Sequence, residues 1–345
     1  MIDNVRVRDV SEFELIRRLT MALPLRARES HRILLSIGDD AAVASISPAE
    51  MLVVTTDTLT EGVHFRLDWT SWENLGHKAI AVNLSDIAGM GATPLLLTVS
   101  LALTGDELVR DLESMYRGMG KVAMSNHAVI AGGDVTRTPG PISVSVTAIG
   151  ETRRKQLMRR DGAQPNDLVW VTGTIGAAAA GLELELMPEE DTRKRASTAS
   201  ALRNALHCPT PRCSAGQTLA AIGVRCGMDV SDGLAGDLQK ILVASDVDAE
   251  LSLADLPIAA SVRALFRDRE LDLALHGGDD YELLFTAPPS FSSQIRDGFE
   301  LIGVRTTVIG QVHRRSGTHS QIVGMSPHGV RRTIAPSAFD HFGSG

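Results

Sequence analysis

The sequence predicts a two-domain chain in which β-strands alternate with α-helices. Its 345 residues exceed the size at which a single hydrophobic core usually stops growing. Short apolar runs rich in β-branched residues, such as Leu52-Val53-Val54, recur between longer stretches with helical spacing of apolar positions. Between Glu151 and Asp167 the chain turns polar and carries five arginines and lysines, which reads as a linker. The boundary therefore falls near residue 150, giving domains over 1–150 and 151–345.

Composition narrows the function classes. Only 4% of residues are aromatic while 31 are glycine, which points to close backbone packing rather than aromatic-rich recognition. A formal net charge of −8 argues against a nucleic-acid or membrane surface, so a phosphate-bearing partner would be attracted through bound cations. No stretch approaches the ~18 consecutive apolar residues of a membrane span. The start, Met1 to Asp9, lacks the basic and apolar blocks of a secretory signal. Cys208, Cys213 and Cys226 are odd in number without C-x-x-C spacing, so free thiols in a reducing compartment are expected. The expected location is the cytoplasm.

The elements follow in order. Phe13, Leu15, Ile16, Leu19 and Leu23 predict a helix over 11–23, with Ser11 and Glu14 as a capping box. Gly38-Asp39-Asp40 reads as a turn, where adjacent carboxylates are best tolerated when exposed or beside a cation. The strand ending Thr55-Thr56-Asp57 presents hard oxygen atoms at its tip, the donor type that Mg²⁺ prefers. A loop with the lone His64 follows, then a helix over Glu73–Met90 capped by Thr70 and Glu73. Asn83 and Asp86 share one side of it. Asp86 sits among Ala, Gly and Ser, so it is paired or holds a metal, and the metal is favoured. A strand over Leu95–Leu103 and a helix over Asp106–Ala123 bearing Tyr116 come next. Gly118-Met-Gly-Lys-Val-Ala123 matches G-x-G-x-x-A but follows a helical stretch rather than a strand, so a dinucleotide site is rejected.

The strand Ala128–Ala131 runs into Gly132-Gly133-Asp134, whose glycines would let a ligand approach the backbone. Alternation over Ile142–Ile149 predicts another strand. In the second half a strand over 168–171 leads through Gly173 and Gly176 into an Ala-rich helix. The N–H groups at that start could bind an anion, and close helix packing explains the glycines equally well. Residues 189–195 read as a charged loop and 215–222 as a helix. Asp229-Val-Ser231-Asp232-Gly233 follows, with Asp237 opening onto another helix. Gly277-Gly-Asp279-Asp280-Tyr-Glu282 is the last acidic cluster, and 286–330 is expected to hold strands and loops.

Taken together, six acidic groups sit at element ends beside small residues. Phosphoryl transfer needs positioned Mg²⁺, and a chain without a Walker loop must supply it through carboxylates and separate basic residues. The contiguous spacing of an EF-hand is absent.

Gly38-Asp-Asp-Ala-Ala-Val43, Thr56-Asp-Thr58 with Gly62-Val-His-Phe65, Ala81-Val-Asn-Leu-Ser-Asp86 with Met90-Gly-Ala92, Gly132-Gly-Asp134, Asp229-Val-Ser-Asp-Gly-Leu234 and Gly277-Gly-Asp-Asp-Tyr-Glu-Leu283 together resemble the thiamine-monophosphate kinase family, from about residue 11 to residue 342. The resemblance implies the two-domain fold of aminoimidazole-ribonucleotide synthetase. In it an N-terminal α/β domain pairs its sheet across a homodimer, and a C-terminal α+β domain completes the active site. It further implies ATP-dependent conversion of thiamine monophosphate to thiamine diphosphate, with several Mg²⁺ ions. Carried over position by position, Asp40, Thr55, Thr56, Asp57, Asp86, Asp134, Asp229 and Asp232 would hold Mg²⁺. Tyr116, Gly133, Asp134, Arg160 and Ser231 would contact ATP, and His64, Asp279 and Phe339 the thiamine part. The family often has Glu at the position of Asp279, and Trp or Tyr near that of Phe339.

A phosphate monoester has a second pKa of about 6, so the acceptor is mostly dianionic at neutral pH and no general base is expected. Two other readings are kept. One is another ATP-dependent synthase of the same superfamily, although the Cys expected near the N-terminus of the selenophosphate branch is missing before Cys208. The C-terminal Cys of the hydrogenase-maturation branch is missing as well. The other is a non-catalytic nucleotide- or metal-binding regulator.

Overall fold

A computed structural model of the chain describes residues 4–37, 41–188 and 196–336. The chain forms two compact units, residues 1–87 with 93–153 and residues 88–92 with 154–345.

The first unit begins with α1 (Glu12–Ala22), where Ser11 accepts the Glu14 N–H at 3.3 Å. The Glu14 carboxylate turns to Arg17 instead of completing the capping box. A short hairpin of β1 (Ile33–Leu35) and β2 (Val43–Ala44) follows. The main sheet contains β3 (Met51–Thr60), β4 (Thr93–Leu103), β5 (Val129–Arg137) and β6 (Ser143–Thr152), in the order β3-β6-β4-β5. β4 and β5 are parallel, a pairing that needs a crossover, supplied by the helix between them.

Helix α2 (Trp72–Gly89) packs on the sheet face that carries Val53 and Thr55, and α3 (Val109–Ser125) packs on α2. The two helices meet at paired glycines. A Cβ on Gly76 would stand 1.9 Å from the Met115 carbonyl oxygen, and one on Gly118 would stand 2.0 Å from that of Glu73. Gly118 and Gly120, the pattern rejected as a dinucleotide site, thus serve packing; a Cβ on Gly120 would strike Pro24 at 2.3 Å. The cap of α2 is Ser71, whose Oγ accepts the Asn74 N–H at 3.1 Å, one position after the expected Thr70.

Two strands run further than expected. β3 continues through Asp57 to Thr60, and β5 through Gly132-Gly133-Asp134 to Arg137. The reason is non-local: β6 alternates Val with Ser and Thr and pairs with β3 from Ser143 to Thr152 and with β4 in register from Ser143 to Ile149, while β4 carries β5 on as far as the Leu103–Arg137 pair. The sheet face opposite α2 therefore carries a field of hydroxyls. Thr58 Oγ1 lies 2.7 Å from Ser145 Oγ, and Thr147 donates to Thr56 at 3.3 Å. At the other end of this face Leu96, Val129, Ala131 and Ile149 cluster beneath Ile33, Ala42 and Ala44.

The second unit is a seven-stranded sheet in the order β13-β12-β9-β11-β7-β10-β8, antiparallel except for β12 with β9. Its strands are β7 (Leu168–Thr172), β8 (Cys226–Asp229), β9 (Val247–Ser252), β10 (Leu283–Ala287), β11 (Thr306–Arg314), β12 (Ile322–Met325) and β13 (Arg331–Ile334). Helices α4 (Ala177–Leu186), α5 (Ala196–His207), α6 (Cys213–Ile222), α7 (Leu234–Ser245), α8 (Ala260–Leu265), α9 (Glu270–His276) and α10 (Ser292–Leu301) surround it. Trp170 stacks on Phe285 at 6.0 Å and Phe285 on Phe299 at 6.2 Å, which docks α10 onto the sheet.

Residues 286–330 therefore differ from the expected strands and loops. α10 is mostly polar and buries only Ile295 and Phe299, four apart, too narrow a stripe to read as a helix. Burial pushes the Cys213 thiol up to about 12 and the Cys226 thiol up to about 11, so both act as small apolar groups. No helix of the described residues is long and apolar enough to cross a membrane.

Candidate active site

In the first unit the predicted metal ligands among the described residues lie on β3, α2 and β5. Thr55 Oγ1 donates to Asp86 Oδ2 at 2.5 Å, joining the middle of β3 to the side of α2. One turn earlier on that side, Asn83 is 1% exposed and its Oδ1 accepts the Asp57 N–H at 3.0 Å. Asn83 also donates to the Ala79 carbonyl at 3.0 Å, which fixes the orientation of its amide. Asn83 and Asp86 thus do share one side of the helix, and that side faces β3. Asn83 is a supporting residue that the sequence placed correctly but gave no role.

His64 closes the loop after β3. Its Nδ1 accepts the Thr60 N–H at 3.0 Å, which leaves the proton of the neutral ring on Nε2. Tyr116 lies within α3, 7% exposed, and burial raises its phenol well above the ordinary range. Asp134 stands exposed on β5, and Gly133 before it leaves no room for a side chain, since a Cβ would meet the Val99 carbonyl oxygen at 1.9 Å.

The ladder registers divide the predicted metal ligands of this unit. Asp57 is in line with Val146, Val99 and Gly133, whereas Asp134 is in line with Ser100, Ser145 and Thr58. Adjacent positions of a strand point to opposite faces. Thr55, Asp57 and Asp86 therefore belong to the helix-covered side, and Thr56 and Asp134 to the hydroxyl side. β3 and β5 are also the two edges of this sheet, about 14 Å apart by ordinary strand spacing.

In the second unit two acidic motifs are zipped together. Asp279 N–H donates to the Ser231 carbonyl at 2.8 Å, Tyr281 N–H to that of Val230 at 2.8 Å, and Val230 N–H to that of Glu282 at 2.8 Å. The approach requires Gly278, where a Cβ would lie 2.5 Å from the Ser231 oxygen. Asp279 and Tyr281 both have positive φ, 67° and 50°, and the Tyr281 hydroxyl donates to Asp279 Oδ1 at 2.9 Å. Non-glycine residues rarely adopt that conformation, so the surrounding hydrogen bonds hold a strained turn.

Asp229 ends β8 and is 4% exposed. Asp232 lies 2.5 Å from Lys240 Nζ. Arg160 is exposed at the start of a short 3₁₀ turn whose carbonyl accepts from Ser245 Oγ at 2.8 Å. Asp40 and Phe339 lie outside the described residues.

Three further groups brace this site, each present in the acidic motifs of the sequence but given no role there. Asp280 Oδ2 accepts the Gly176 N–H at 2.7 Å, so the α4 start, read from sequence as a place for an anion, is already filled by a carboxyl group of this chain. Burial pushes the Asp280 carboxyl up to about 8, against the pull of the helix N–H donors. Glu282 is clamped by Arg212 at 2.7 and 2.6 Å and by the Thr172 hydroxyl at 2.6 Å. Asp237 is fully buried and braces the Ser231-Asp232 backbone. The acidic cluster drew attention to Asp280 and Glu282, and the signal for Asp237 was its spacing from Lys240, three apart on a helix.

The donors fit a hard divalent cation in chemistry, since Thr55, Thr56, Asp57, Asp86, Asp134, Asp229 and Asp232 offer oxygen only. Among the described residues no three acidic, histidine or cysteine side chains gather into a complete cage.

Comparison with known proteins agrees with this architecture. Residues 38–152 match the AIR synthase related protein N-terminal domain, and residues 164–322 match the corresponding C-terminal domain. The thiamine-monophosphate kinase of Bacillus subtilis (strain 168) is 35% identical over 334 residues, 96% of this chain and 100% of the relative. The crystal structure of thiamine-monophosphate kinase from Stenotrophomonas maltophilia K279a superposes with a TM-score of 0.79 at 39% identity, over 90% of this chain and 96% of that one. A structure of AaThiL complexed with AMPPCP and TMP superposes with a TM-score of 0.74 at 30% identity, over 98% of this chain and 99% of that one. Both AIR synthase related domains and likeness along nearly the whole length lead to one conclusion: the chain belongs to the thiamine-monophosphate kinase family.

Proposed function

We propose that the chain transfers the γ-phosphoryl group of ATP to the phosphate of thiamine monophosphate, giving thiamine diphosphate and ADP with the help of several Mg²⁺ ions. The observation that carries this reading is the likeness, over 98% of the chain, to AaThiL complexed with AMPPCP and TMP. The acceptor phosphate is mostly dianionic at neutral pH, because its second pKa is about 6. Its oxygen attacks the γ-phosphorus while the bond to the β-bridging oxygen breaks, and no side chain is needed to remove a proton. The obstacle is repulsion between two polyanions. Bound Mg²⁺ supplies the neutralising charge.

Within that reading each residue has a task. Asp40, Thr55, Thr56, Asp57, Asp86 and Asp134 in the first unit, with Asp229 and Asp232 in the second, hold the cations. The Thr55–Asp86 contact and the Asn83 bond to the Asp57 backbone supply preformed positions for three of them. Tyr116, Gly133, Asp134, Arg160 and Ser231 contact ATP, Arg160 as a fixed positive charge. His64, Asp279 and Phe339 contact the thiamine moiety, and the strained turn at 279–281 keeps Asp279 oriented.

The homodimer belongs to the same proposal. β3 is a sheet edge whose Leu52 and Val54 are 50% and 60% exposed, as expected of a strand that another copy covers.

The test is turnover of thiamine monophosphate with ATP and Mg²⁺ by the wild-type chain, Asp57→Asn and Asp134→Asn. Each substitution is expected to lower kcat/KM on the order of 100-fold and to raise the Mg²⁺ needed for half-saturation. Near-normal turnover in both would contradict the metal assignment.

A further inference from the structure

Lys240 and Asp237, three apart on α7, form a network around the Asp229-Val-Ser-Asp-Gly loop that none of the tasks above uses. Lys240 Nζ lies 2.5 Å from Asp232 Oδ2 and 2.7 Å from Asp237 Oδ1. The other Asp237 oxygen accepts two backbone donors, Ser231 N–H and Asp232 N–H, each at 3.0 Å. Asp237 is 0% exposed, while the Lys240 and Asp232 side chains are 33% and 34% exposed. The two contacts of Lys240 are therefore unequal. Its bond to Asp237 is internal and neutralises a buried charge that would otherwise be costly. Its bond to Asp232 is at the surface, worth no more than about 1 kcal/mol, and can be given up.

We propose that Lys240 is a resident cation of this loop: anchored on Asp237, it holds and neutralises the Asp232 carboxylate until a divalent metal displaces it. The inference rests on the reading of Asp232 as a metal ligand. It assigns Lys240 and Asp237 as positioning residues. With the metal absent, the ammonium keeps Asp232 from swinging into solvent. When the metal arrives, Lys240 retains Asp237, and Asp237 retains the Ser231-Asp232 backbone, so the loop keeps its shape while the carboxylate changes partner. The metal must therefore compete with an ammonium for Asp232.

Competition gives a sign that simple bracing does not. The probe is Mn²⁺, titrated without nucleotide into the full-length protein and followed by electron paramagnetic resonance. Lys240→Met keeps the stem and removes the charge, and is expected to bind Mn²⁺ roughly fivefold more tightly at one site. Lys240→Arg should stay close to wild type. Because Lys240→Met strips a buried carboxylate of its cation and risks unfolding, the double variant Asp237→Asn with Lys240→Met is included. It keeps the acceptor for the two N–H groups without either charge, and the same tightening is expected. Unchanged or weaker Mn²⁺ binding in that folded variant would overturn the proposal. Asp232→Asn separates the underlying reading: loss of one Mn²⁺ supports Asp232 as a ligand, and full retention overturns that assignment together with the role of Lys240.

Discussion

At the scale of single residues, some side chains are set by partners far away in sequence. Glu151 at the end of β6 shows the rule outside the site. Arg32 donates to its carboxylate through both terminal nitrogens, and Ser47 adds its N–H and its hydroxyl, each at 3.1 Å. The Arg32 guanidinium, with those donors, lowers the Glu151 carboxyl from 4.5 to about 2. A carboxyl depressed on folding contributes stability that is fully present above its unfolded value and is lost as pH falls through its folded value. Here the window runs from about 4.5 down to about 2, and the contribution is on the order of 3 kcal/mol at neutral pH. Burial and the nearby Glu151 charge raise Glu50, which offsets part of that gain. Arg32→Ala should cost about 3 kcal/mol in urea unfolding at pH 7, with a gap that narrows as pH falls toward 3. A gap independent of pH would contradict the assignment. None of these three partners was legible in the sequence, because positions 32, 47 and 151 meet only through the folded sheet. The acidic motifs were legible, since each sets Asp beside Gly, Ser or Thr over a few neighbouring positions.

At the scale of elements, periodicity located most helices and strands but not their ends. β3 reads as a run stopping at Asp57 because its last residues, Thr58-Leu59-Thr60, carry no strong apolar signal. They are strand because Ser143 to Ser145 pair with them. Helix α10 was not legible for the opposite reason: its composition is that of a loop, and only the Trp170–Phe285–Phe299 stack reveals its buried side. The glycines of α3 were visible, but their purpose was not. Gly118→Ala places a methyl group 2.0 Å from the Glu73 oxygen. Alanine is favoured over glycine within a helix by about 1 kcal/mol, and overpacking a well-filled contact costs about 1–3 kcal/mol. The methyl group would meet backbone rather than a yielding side chain, so the steric cost should win and Gly118→Ala is expected to lose up to about 2 kcal/mol in urea unfolding. A gain in stability would show that the two helices can separate without loss.

At the scale of the whole molecule, the acids that made the sequence readable are spread over both units. Within the first unit, Asp57 and Asp134 stand on opposite faces and opposite edges of one sheet. Apolar runs located each acid beside its glycines or threonines but put it at a strand tip, whereas both lie inside their strands, and the number of strands between them depends on sheet order, which no local pattern encodes. A spread set of one or two carboxylates at a time suits Mg²⁺ ions that complete their shells on phosphate oxygens. It follows that the metals should matter most when both phosphate substrates are present. The most direct measurement is the yield of thiamine diphosphate and of ADP from thiamine monophosphate, ATP and Mg²⁺, with and without EDTA. Equal amounts of the two products, abolished by EDTA, are the predicted result. ADP with inorganic phosphate and no thiamine diphosphate would contradict the acceptor, and undiminished thiamine diphosphate in EDTA would contradict the metal.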